Sequence, residues 1–557
     1  MMKNQSFLKN IFTGHRGRKL KEYLTAYAFI APASILIFIF GIFPVGFALY
    51  VSLHKWRIKR SEVIGLKNYT DAIGNLAYVV VFFLGIGALL SIYFLYKKIK
   101  KLSEEHKEKP WLCILPGILN GAIAFAFLNW IYNALPEFLG IADKLRGLER
   151  SQEVFTRLLG EAFRAETVQP AWRTFIIVLA VGLVCGGLVL YFWRNPRNLE
   201  YQAYFSLIFF ALGVGIGLLY YTQQQIAIAY EVAVLKDLDP GIWPQFITIT
   251  SGVILLILGW LIWKRSEQAQ NQLSFWLHVF ATMVLLVGGW LLIGEIPSIV
   301  ASGDKDLWKG LKVTVFFAVG TVPFQLVISL FLSILLFQKL IGSNIFRIIF
   351  FIPYVTPAIA SAAVFKQMFS NRHSAPVNMF LQGLGLEPQQ WLFEAKGIFT
   401  LLGNNIGINV PEWAAGPSLA LVVIIIHSIW TYVGYDTVIY LAGLGNIPTE
   451  LIDAAEVDGA SKWDVFRHIT FPLLSPTTYF LSLISIIGTF KAFNTIWIFR
   501  ESIALGTTDT FSVTIFIEFF EKLRYGYASA MAFVLFAIIL ALTVINNKVQ
   551  GSRVFYG

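Results

Sequence analysis

The feature that most constrains this chain is a series of long apolar stretches separated by short polar connections. A helix needs about 20 apolar residues to cross the hydrocarbon core of a bilayer. Stretches of that length predict about twelve spans, near residues 27–49, 77–96, 111–131, 175–193, 204–221, 246–263, 275–296, 311–337, 345–369, 419–444, 476–498 and 527–545. Because hydrocarbon offers the backbone no hydrogen-bond partners, we expect an all-α, polytopic transmembrane helical bundle.

Composition argues against a soluble or nucleic-acid-binding protein. Hydrophobic residues make up 57% of the chain and charged residues only 14%, whereas soluble proteins carry roughly 25% charged residues. The net charge of +11 comes from short basic clusters between the apolar stretches and not from one basic domain. Cys113 and Cys185 both lie inside apolar stretches, where they indicate small hydrophobic residues and no disulfide framework.

The distribution of Lys and Arg predicts the orientation in the membrane, because short cytoplasmic loops are enriched in basic residues. If the basic N-terminal segment is cytoplasmic, alternation also places the basic loops that begin at Lys97, Trp193 and Trp263 inside. The first apolar stretch is too long for a signal peptide and is interpreted as a retained span. The basic segment 55–67 falls outside by the same alternation, so charge alone leaves the topology open. Both termini are expected in the cytoplasm.

Two external segments, residues 143–166 and residues 511–523, carry apolar residues at helical spacing between charges. Amphipathic helices of this kind lie on membrane surfaces. We expect both segments to lie there or to cap the bundle, with contact to a partner as the alternative.

The connection between the tenth and eleventh spans, residues 447–476, has the clearest local chemistry. Thr449 can cap a helix through its hydroxyl. Glu450 and Asp453 lie in the first turns of that helix, where the positive end of the helix dipole stabilises acidic side chains. Gly459, which follows Asp458, predicts the end of that helix because glycine adopts a left-handed conformation cheaply.

A second short helix is predicted directly after the first. Ser461 and Asp464 form a pair like a capping box at its start, and Pro472 is expected to end it at the membrane. Ala454 and Ala455 leave the middle of the first helix almost without side chains. The two helices therefore predict an element that docks in a groove of another protein.

This spacing resembles the EAA loop of ABC-importer permeases, which reads Glu-Ala-Ala, three residues, Gly, nine residues, Ile, one residue and Leu-Pro. The chain has Asp453-Ala454-Ala455, Gly459, Ile469 and Phe471-Pro472 at those positions, with Asp for Glu and Phe for Leu. The flanking stretches, such as FRIIFFIPYVTPAIASAAVFKQMF and SIWTYVGYDTVIYLAGLGNIP, resemble permeases of the maltose and glycerol-phosphate type. The likeness covers most of residues 20–75 and 305–547.

The resemblance implies a core with the type I (MetI-like) ABC-importer permease fold and a division into three parts. Residues 1–75 hold the cytoplasmic N-terminus and the first core span, and residues 301–557 hold the permease core with the coupling loop at 447–476. Residues 76–300 do not match the family and form an inserted region of about six spans. The core enters and leaves this gap from outside, so an even number of crossings is required. We expect a peripheral helical layer, because the insert lacks intramembrane charge pairs.

The resemblance also implies a function and partners. The loop would couple the spans to a cytoplasmic ABC ATPase dimer through Glu450, Asp453, Ala454, Ala455, Asp458, Gly459, Ile469 and Pro472. A second homologous permease, as a heterodimer, and an extracytoplasmic solute-binding protein would complete an importer in the bacterial inner membrane, surrounded by lipid and without nucleic acid. No G-x-x-x-x-G-K-[ST] segment occurs, so ATP and Mg would be bound by the ATPase, and no catalytic residue, cofactor or metal is expected in this chain.

The solute is predicted to be a sugar or sugar-like compound moved by alternating access, with glycerol phosphate or a polyol as alternatives. Polar side chains at membrane depth usually face a bundle interior or cavity, and aromatic faces suit sugar rings. The candidates for contact with the solute are Ser428, Tyr432, Tyr435, Asp436, Lys491 and Asn494, with Lys366 and His427 as weaker ones. The alternatives are that the tyrosines are interfacial anchors and that Lys491, near the end of a span, extends its ammonium group to the membrane surface.

Two other classes fit less well. An ion-coupled secondary transporter predicts inverted repeats and paired ionisable groups at mid-membrane, and neither is recognisable in the sequence. A membrane-embedded enzyme predicts a catalytic constellation such as an H-E-x-x-H metal pair, and the few histidines are scattered.

Overall fold

The computed structural model describes residues 15–57, 60–146, 151–193, 195–235, 237, 241–267, 272–338, 341–504, 506–549 and 551. Side chains are described within these ranges except at positions 15–20, 60, 61, 272 and 405. The basic N-terminal residues 1–14 and part of the predicted external segment, residues 147–150, lie outside the described residues.

Ten helices in the described ranges are long and apolar enough to cross a membrane, or up to twelve if two bent pairs each count as one span. The prediction of an all-α, polytopic bundle is confirmed. One short antiparallel hairpin, formed by β1 (His54–Trp56) and β2 (Arg60–Val63), is an addition that hydropathy did not predict.

The chain forms two compact units, one from Met1–Gly74 with Ile296–Gly557 and one from Asn75–Glu295. The second unit begins one residue before the predicted insert and ends five residues before its predicted end. Its origin as an insert in a permease core remains a prediction.

In the described part of the second unit there are six long helices and one short one. They are α4 (Leu76–His106), α5 (Ile114–Lys144), α6 (Gln152–Phe163), α7 (Val168–Phe192), α8 (Asn198–Val234), α9 (Ile242–Ser266) and α10 (Gln272–Ser302), the last of which extends past the unit's end. The helices pack closely at glycines, since a Cβ atom on Gly85 would lie 3.2 Å from the carbonyl oxygen of Gly215. Small residues at such contacts are typical of helix association in membranes.

The short helix α6 is the described part of the first predicted amphipathic segment. Leu158 and Ala162 are buried against Ile141 near the end of α5, while Phe155 remains 47% exposed. The Ser151 side chain caps the helix by accepting a hydrogen bond from the Val154 amide. The helix therefore packs on the end of the bundle, which is one of the two arrangements that we expected for this segment.

The first unit contains the remaining elements. Before the second unit come α1 (His15–Ile37), a π-helical turn (Phe38–Ile42), α2 (Phe43–Ser52), the hairpin and α3 (Lys67–Ile73). After it come α11 (Lys305–Phe337), α12 (Ser343–Val355), α13 (Ala358–Met368), α14 (Pro376–Gly383), α15 (Ile398–Asn405), α16 (Leu419–Gly445), α17 (Thr449–Val457), α18 (Lys462–Val465), α19 (Phe471–Leu473), α20 (Ser475–Phe490), α21 (Asn494–Phe499), α22 (Phe511–Phe516) and α23 (Tyr525–Val549).

The centre of the first unit is the contact between α11 and α16. Polar side chains, most of them small, recur every four residues on α11, at Thr321, Gln325, Ser329 and Ser333, and all are buried. The Ser329 hydroxyl contacts the carbonyl oxygens of Gln325 and, across the interface, Val433 at 2.7 and 2.9 Å. A stripe of small polar residues lets the two helices approach closely and hydrogen-bond inside the membrane.

Residues 511–523 do not lie on the surface along their whole length, so that form of the expectation is wrong, and capping of the bundle stays a prediction. Phe511 and Val513 are fully buried, and Glu518, in the π-helical turn Ile517–Glu521, is 1% exposed. The Glu518 carboxylate accepts hydrogen bonds from Lys522 at 2.7 Å and Arg524 at 3.0 Å. These two cations allow a charged residue on the apolar segment to be buried.

Candidate functional site

A cavity of about 380 Å³ opens in the first unit between helices α11, α12, α16 and α20–α21. All six residues that the sequence suggested as solute contacts line it: Ser428, Tyr432, Tyr435, Asp436, Lys491 and Asn494. They come from two segments that are distant in sequence, and the fold brings them together. Their role as solute contacts stays a prediction.

Two breaks in the helical backbone border the cavity. Helices α12 and α13 meet at an angle of 93°, with Thr356 and Pro357 between them. Helix α20 ends at Phe490 and α21 begins at Asn494, so the three intervening residues interrupt the span that the sequence predicted at 476–498. Irregular backbone inside a membrane occurs where it is buried in protein or lines a water-filled cavity. The predicted spans 345–369 and 476–498 fall on these helices, and the structure shows that the backbone of each is interrupted.

A pair of stacked tyrosines forms one wall of the cavity. The rings of Tyr354 and Tyr435 lie 4.6 Å apart at an interplanar angle of 23°, and Tyr432 meets Tyr354 edge-on at 5.9 Å. Close packing of α12 on α16 makes the stack possible, since Gly434 lies against the backbone of Phe350. The result is an aromatic shelf, defined by these three tyrosines, of the kind that suits the apolar face of a sugar ring.

Asp436 lies at the inner wall of the cavity and is only 2% exposed. Its carboxylate accepts a hydrogen bond of 2.5 Å from the Gln325 side-chain amide, which also donates to the Ser485 hydroxyl at 3.2 Å. A charged side chain buried in a membrane protein needs such a partner. The network joins α11, α16 and α20 at the base of the cavity.

Several lining residues were missed by the sequence analysis. They are chiefly Phe317, Thr321, Gln325, Tyr354, Ser485, Thr489, Phe493 and Thr495. The four-residue spacing of polar side chains on α11 would have pointed to Thr321 and Gln325. Tyr354 lies just before the break after α12, which Pro357 indicates, but no pattern in the sequence shows that this tyrosine lines a cavity.

The two weaker candidates do not line this cavity. Lys366 forms an ion pair of 2.8 Å with Glu501. His427 lies 3.1 Å from the Ser361 hydroxyl and packs edge-on against the rings of Phe365 and Phe499. Both side chains therefore have structural partners within the first unit.

The predicted docking element is present as two short helices joined by a turn. Helix α17 spans Thr449–Val457, and Gly459 follows with φ of +84°, the left-handed conformation predicted for it. The capping box is also confirmed, since Asp464 N donates to Ser461 Oγ at 3.2 Å and Ser461 N donates to Asp464 Oδ2 at 3.1 Å. Donation from the Ser461 hydroxyl and amide lowers the pKa of the Asp464 carboxyl below its ordinary value.

Two details of this element differ from the prediction. Thr449 is the first helical residue and Pro448 occupies the cap position without a side-chain hydrogen bond, so the Thr449 cap is wrong. The helical path also continues past Pro472 to Leu473, through a π-helical turn at Phe466–Thr470. Proline lacks an amide donor, and the wider turn before it accommodates the missing hydrogen bond.

The predicted coupling residues lie mostly on the surface. Glu450, Asp453, Ala454, Asp458 and Gly459 are exposed, whereas Ala455, Ile469 and Pro472 are partly buried. Two apolar side chains near them are exposed as well, Val457 at 87% and Trp463 at 64%. A polar and apolar surface carried on capped helices is suited to binding another protein.

The long apolar helices, the membrane-depth cavity and the exposed two-helix element define a membrane transport subunit. A family model described as the binding-protein-dependent transport system inner membrane component matches residues 325–552. The chain is 31% identical to the probable ABC transporter permease protein YesP of Bacillus subtilis (strain 168), over 46% of this chain and 76% of that protein. The chain belongs to this family of inner membrane components.

Two further similarities were found. The arabinooligosaccharides transport system permease protein AraP of Bacillus subtilis (strain 168) is 30% identical over 50% of this chain and 85% of that protein. A solved chain of a bacterial ABC transporter involved in the import of the acidic polysaccharide alginate is 20% identical, with a TM-score of 0.38, over 45% of this chain and 80% of that chain.

Proposed function

We propose that this chain is one permease subunit of an ATP-driven importer and that it moves a sugar or sugar-like solute into the cytoplasm. The observation that carries the proposal is the cavity, which combines the aromatic shelf with hydroxyl, amide and charged side chains at membrane depth. Sugar sites pair an apolar ring face with polar groups that hydrogen-bond hydroxyls. The name of the similar protein AraP, a permease for arabinooligosaccharides, supports the same class of solute.

The two-helix element at 447–476 is the proposed contact with a cytoplasmic ATPase dimer, which would bind ATP and Mg. Asp453, Ala454 and Gly459 are exposed there, so a partner can reach them without unfolding the element. The segment leads directly into α20, whose residues Ser485, Gly488 and Thr489 line the cavity. Movement of the element would therefore reach the solute through one helix.

The topology follows from placing this element in the cytoplasm. Helix α16 then runs from outside to inside and α20 returns outward, which puts residues 370–418 on the external side. That side would receive solute from an extracytoplasmic binding protein. A second homologous permease would complete the pathway, and both termini would be cytoplasmic.

A matched pair of glycine substitutions tests the coupling role. Gly459 and Gly407 both have positive φ, at +84° and +73°, and a Cβ atom would meet nothing within 4 Å at either position. Gly459→Asp and Gly407→Asp therefore introduce the same backbone strain, but only the first lies in the proposed ATPase contact. The importer is purified from its native membrane with each variant, and ATPase activity is measured with and without solute-loaded binding protein.

We expect Gly459→Asp to insert normally and to lose stimulation by the solute, while Gly407→Asp retains it. Intact stimulation in Gly459→Asp would contradict the coupling role. A panel of sugars, polyols and glycerol phosphate, tested in the same assay on the unmodified importer, decides the solute class. Stimulation by none of the sugars would contradict the carbohydrate proposal.

A further inference from the structure

The cavity presents one positive charge that the fold leaves without a carboxylate. Lys491 follows the last residue of α20, and its side chain is exposed at the cavity. Among the described residues, no Asp or Glu oxygen lies within ion-pair distance of its ammonium group. Two other cations of the same unit are paired, Lys366 with Glu501 at 2.8 Å and Arg500 with Asp509 at 3.0 Å.

The other charged residue of the cavity does not neutralise this lysine. Among the described lining residues, Asp436 and Lys491 are the only charged ones. Asp436 is 2% exposed and its carboxylate is bound to Gln325, so a solute in the cavity meets mainly the ammonium group. An unpaired charge at membrane depth is costly unless water or a ligand solvates it.

Lys491 is placed to act together with the aromatic shelf. Asn494 lies three residues further on and is also exposed at the cavity, so the non-helical link between α20 and α21 offers a cation and an amide side by side. The tyrosines belong to α12 and α16, on different helices from this link. A bound molecule would thus meet an aromatic face from one pair of helices and a hydrogen-bonding cation from the other.

We infer that Lys491 is a specificity-determining residue and that it selects sugars carrying an anionic substituent. The substituent would accept hydrogen bonds from the ammonium group, and the ring would pack on the shelf. A carboxylate and a phosphate share this chemistry, because both are compact oxyanions that a lysine binds as a point charge. The inference rests on the proposed transport of a carbohydrate through the cavity.

The test measures uptake of three classes of labelled sugar by the complete importer in proteoliposomes. The classes are a sugar carboxylate (hexuronate oligosaccharides), a sugar phosphate and neutral oligosaccharides of the same length. Lys491→Gln removes the charge and Lys491→Arg keeps it. Lys396→Gln is the control, because it removes an exposed lysine that does not line the cavity. The binding protein is the same in every arm, so differences between variants belong to this chain.

The expected result is a rise of about 10- to 100-fold in KM for the anionic sugar in Lys491→Gln, as loss of a hydrogen bond to a charged group implies. Lys491→Arg should retain most of the uptake and Lys396→Gln all of it. Which of the two anionic sugars is transported identifies the substituent.

Three outcomes would overturn the inference. Transport of neutral sugars alone would refute it and leave the carbohydrate proposal intact. An equal loss for anionic and neutral sugars in Lys491→Gln would show that the lysine serves assembly or folding and not selection. Transport of no sugar of any class would remove the carbohydrate proposal and this inference with it.

Discussion

The contact between α12 and α16 offers the sharpest test of the packing that builds the cavity. Gly434 lies in the interior of α16, and a Cβ atom there would stand 2.5 Å from the carbonyl carbon of Phe350 and would overlap its oxygen. Optimal separations between carbon atoms are about 3.5–4.0 Å. In Gly434→Ala the two helices must therefore separate by roughly 1 Å, or the backbone must bend.

The cost of this substitution follows from two opposed effects. Overpacking of a well-packed interior destabilises a protein by about 1–3 kcal/mol. Replacing glycine inside a helix by alanine stabilises the helix by roughly 0.5–1 kcal/mol. We expect the overpacking to dominate at Gly434, because the obstacle is backbone and not a flexible side chain. The control for stability is Gly488→Ala, in the last turn of α20, where a Cβ atom would meet nothing within 4 Å.

The assay is thermal unfolding of the purified importer at a fixed scan rate, with uptake measured in parallel. Gly434→Ala should lower the apparent Tm by several degrees, whereas Gly488→Ala should leave it unchanged or raise it. Uptake should fall too, because Tyr354 and Tyr435, whose rings stack at 4.6 Å, lie on the two helices that are pushed apart. Equal Tm values for the two variants would refute the close approach of α12 and α16.

Two further predictions concern charged residues outside the cavity. Glu518→Gln should lower the free energy of unfolding by about 1–3 kcal/mol, because its buried carboxylate binds two cations; the cost stays moderate because these cations are partly exposed and can be hydrated when the carboxylate is lost. Glu521→Gln, at an exposed neighbour, should have almost no effect in the same denaturation experiment. Equal effects of the two substitutions would refute the assigned ion pairs. Asp464 has a lowered pKa because Ser461 donates to it, so its contribution to the capping box is present at neutral pH and is lost as pH falls through that lowered pKa. Hydrogen exchange across residues 461–470, corrected for its intrinsic pH dependence, should become faster in acid. It should also become faster at neutral pH in Ser461→Ala. Unchanged exchange in Ser461→Ala would refute the cap.

Much of the fold could be read from the sequence because its signals are local. Hydropathy over about 20 residues predicts a spanning helix without knowledge of any neighbour. The capping box of Ser461 and Asp464 and the left-handed Gly459 depend on only a few adjacent residues, and the structure confirms both. The cap assigned to Thr449 failed because Pro448 competes for the same position, a choice that local preference alone does not settle.

The candidate site was predicted in part, for reasons that differ between residues. Ser428, Tyr432 and Asp436 could be suggested because polar groups are unusual inside apolar helices. Gln325 and Asp436 are 111 positions apart, so their hydrogen bond could not be inferred from either segment. Tyr354 was missed because Pro357 indicates a break after α12 but not the side to which the break turns this tyrosine.

The sequence by itself determined that the chain spans a membrane, where most of its long helices lie and which segment forms the exposed two-helix element. These properties depend on apolar length and on hydrogen bonds between near neighbours. Only the tertiary structure decided which polar residues share a cavity, that Lys366 is paired and Lys491 is not, and that Phe511, Val513 and Glu518 are buried. Those outcomes depend on contacts between helices that are distant in sequence. The polarity of a residue does not show whether a neighbouring helix supplies a hydrogen-bond or ion-pair partner for it.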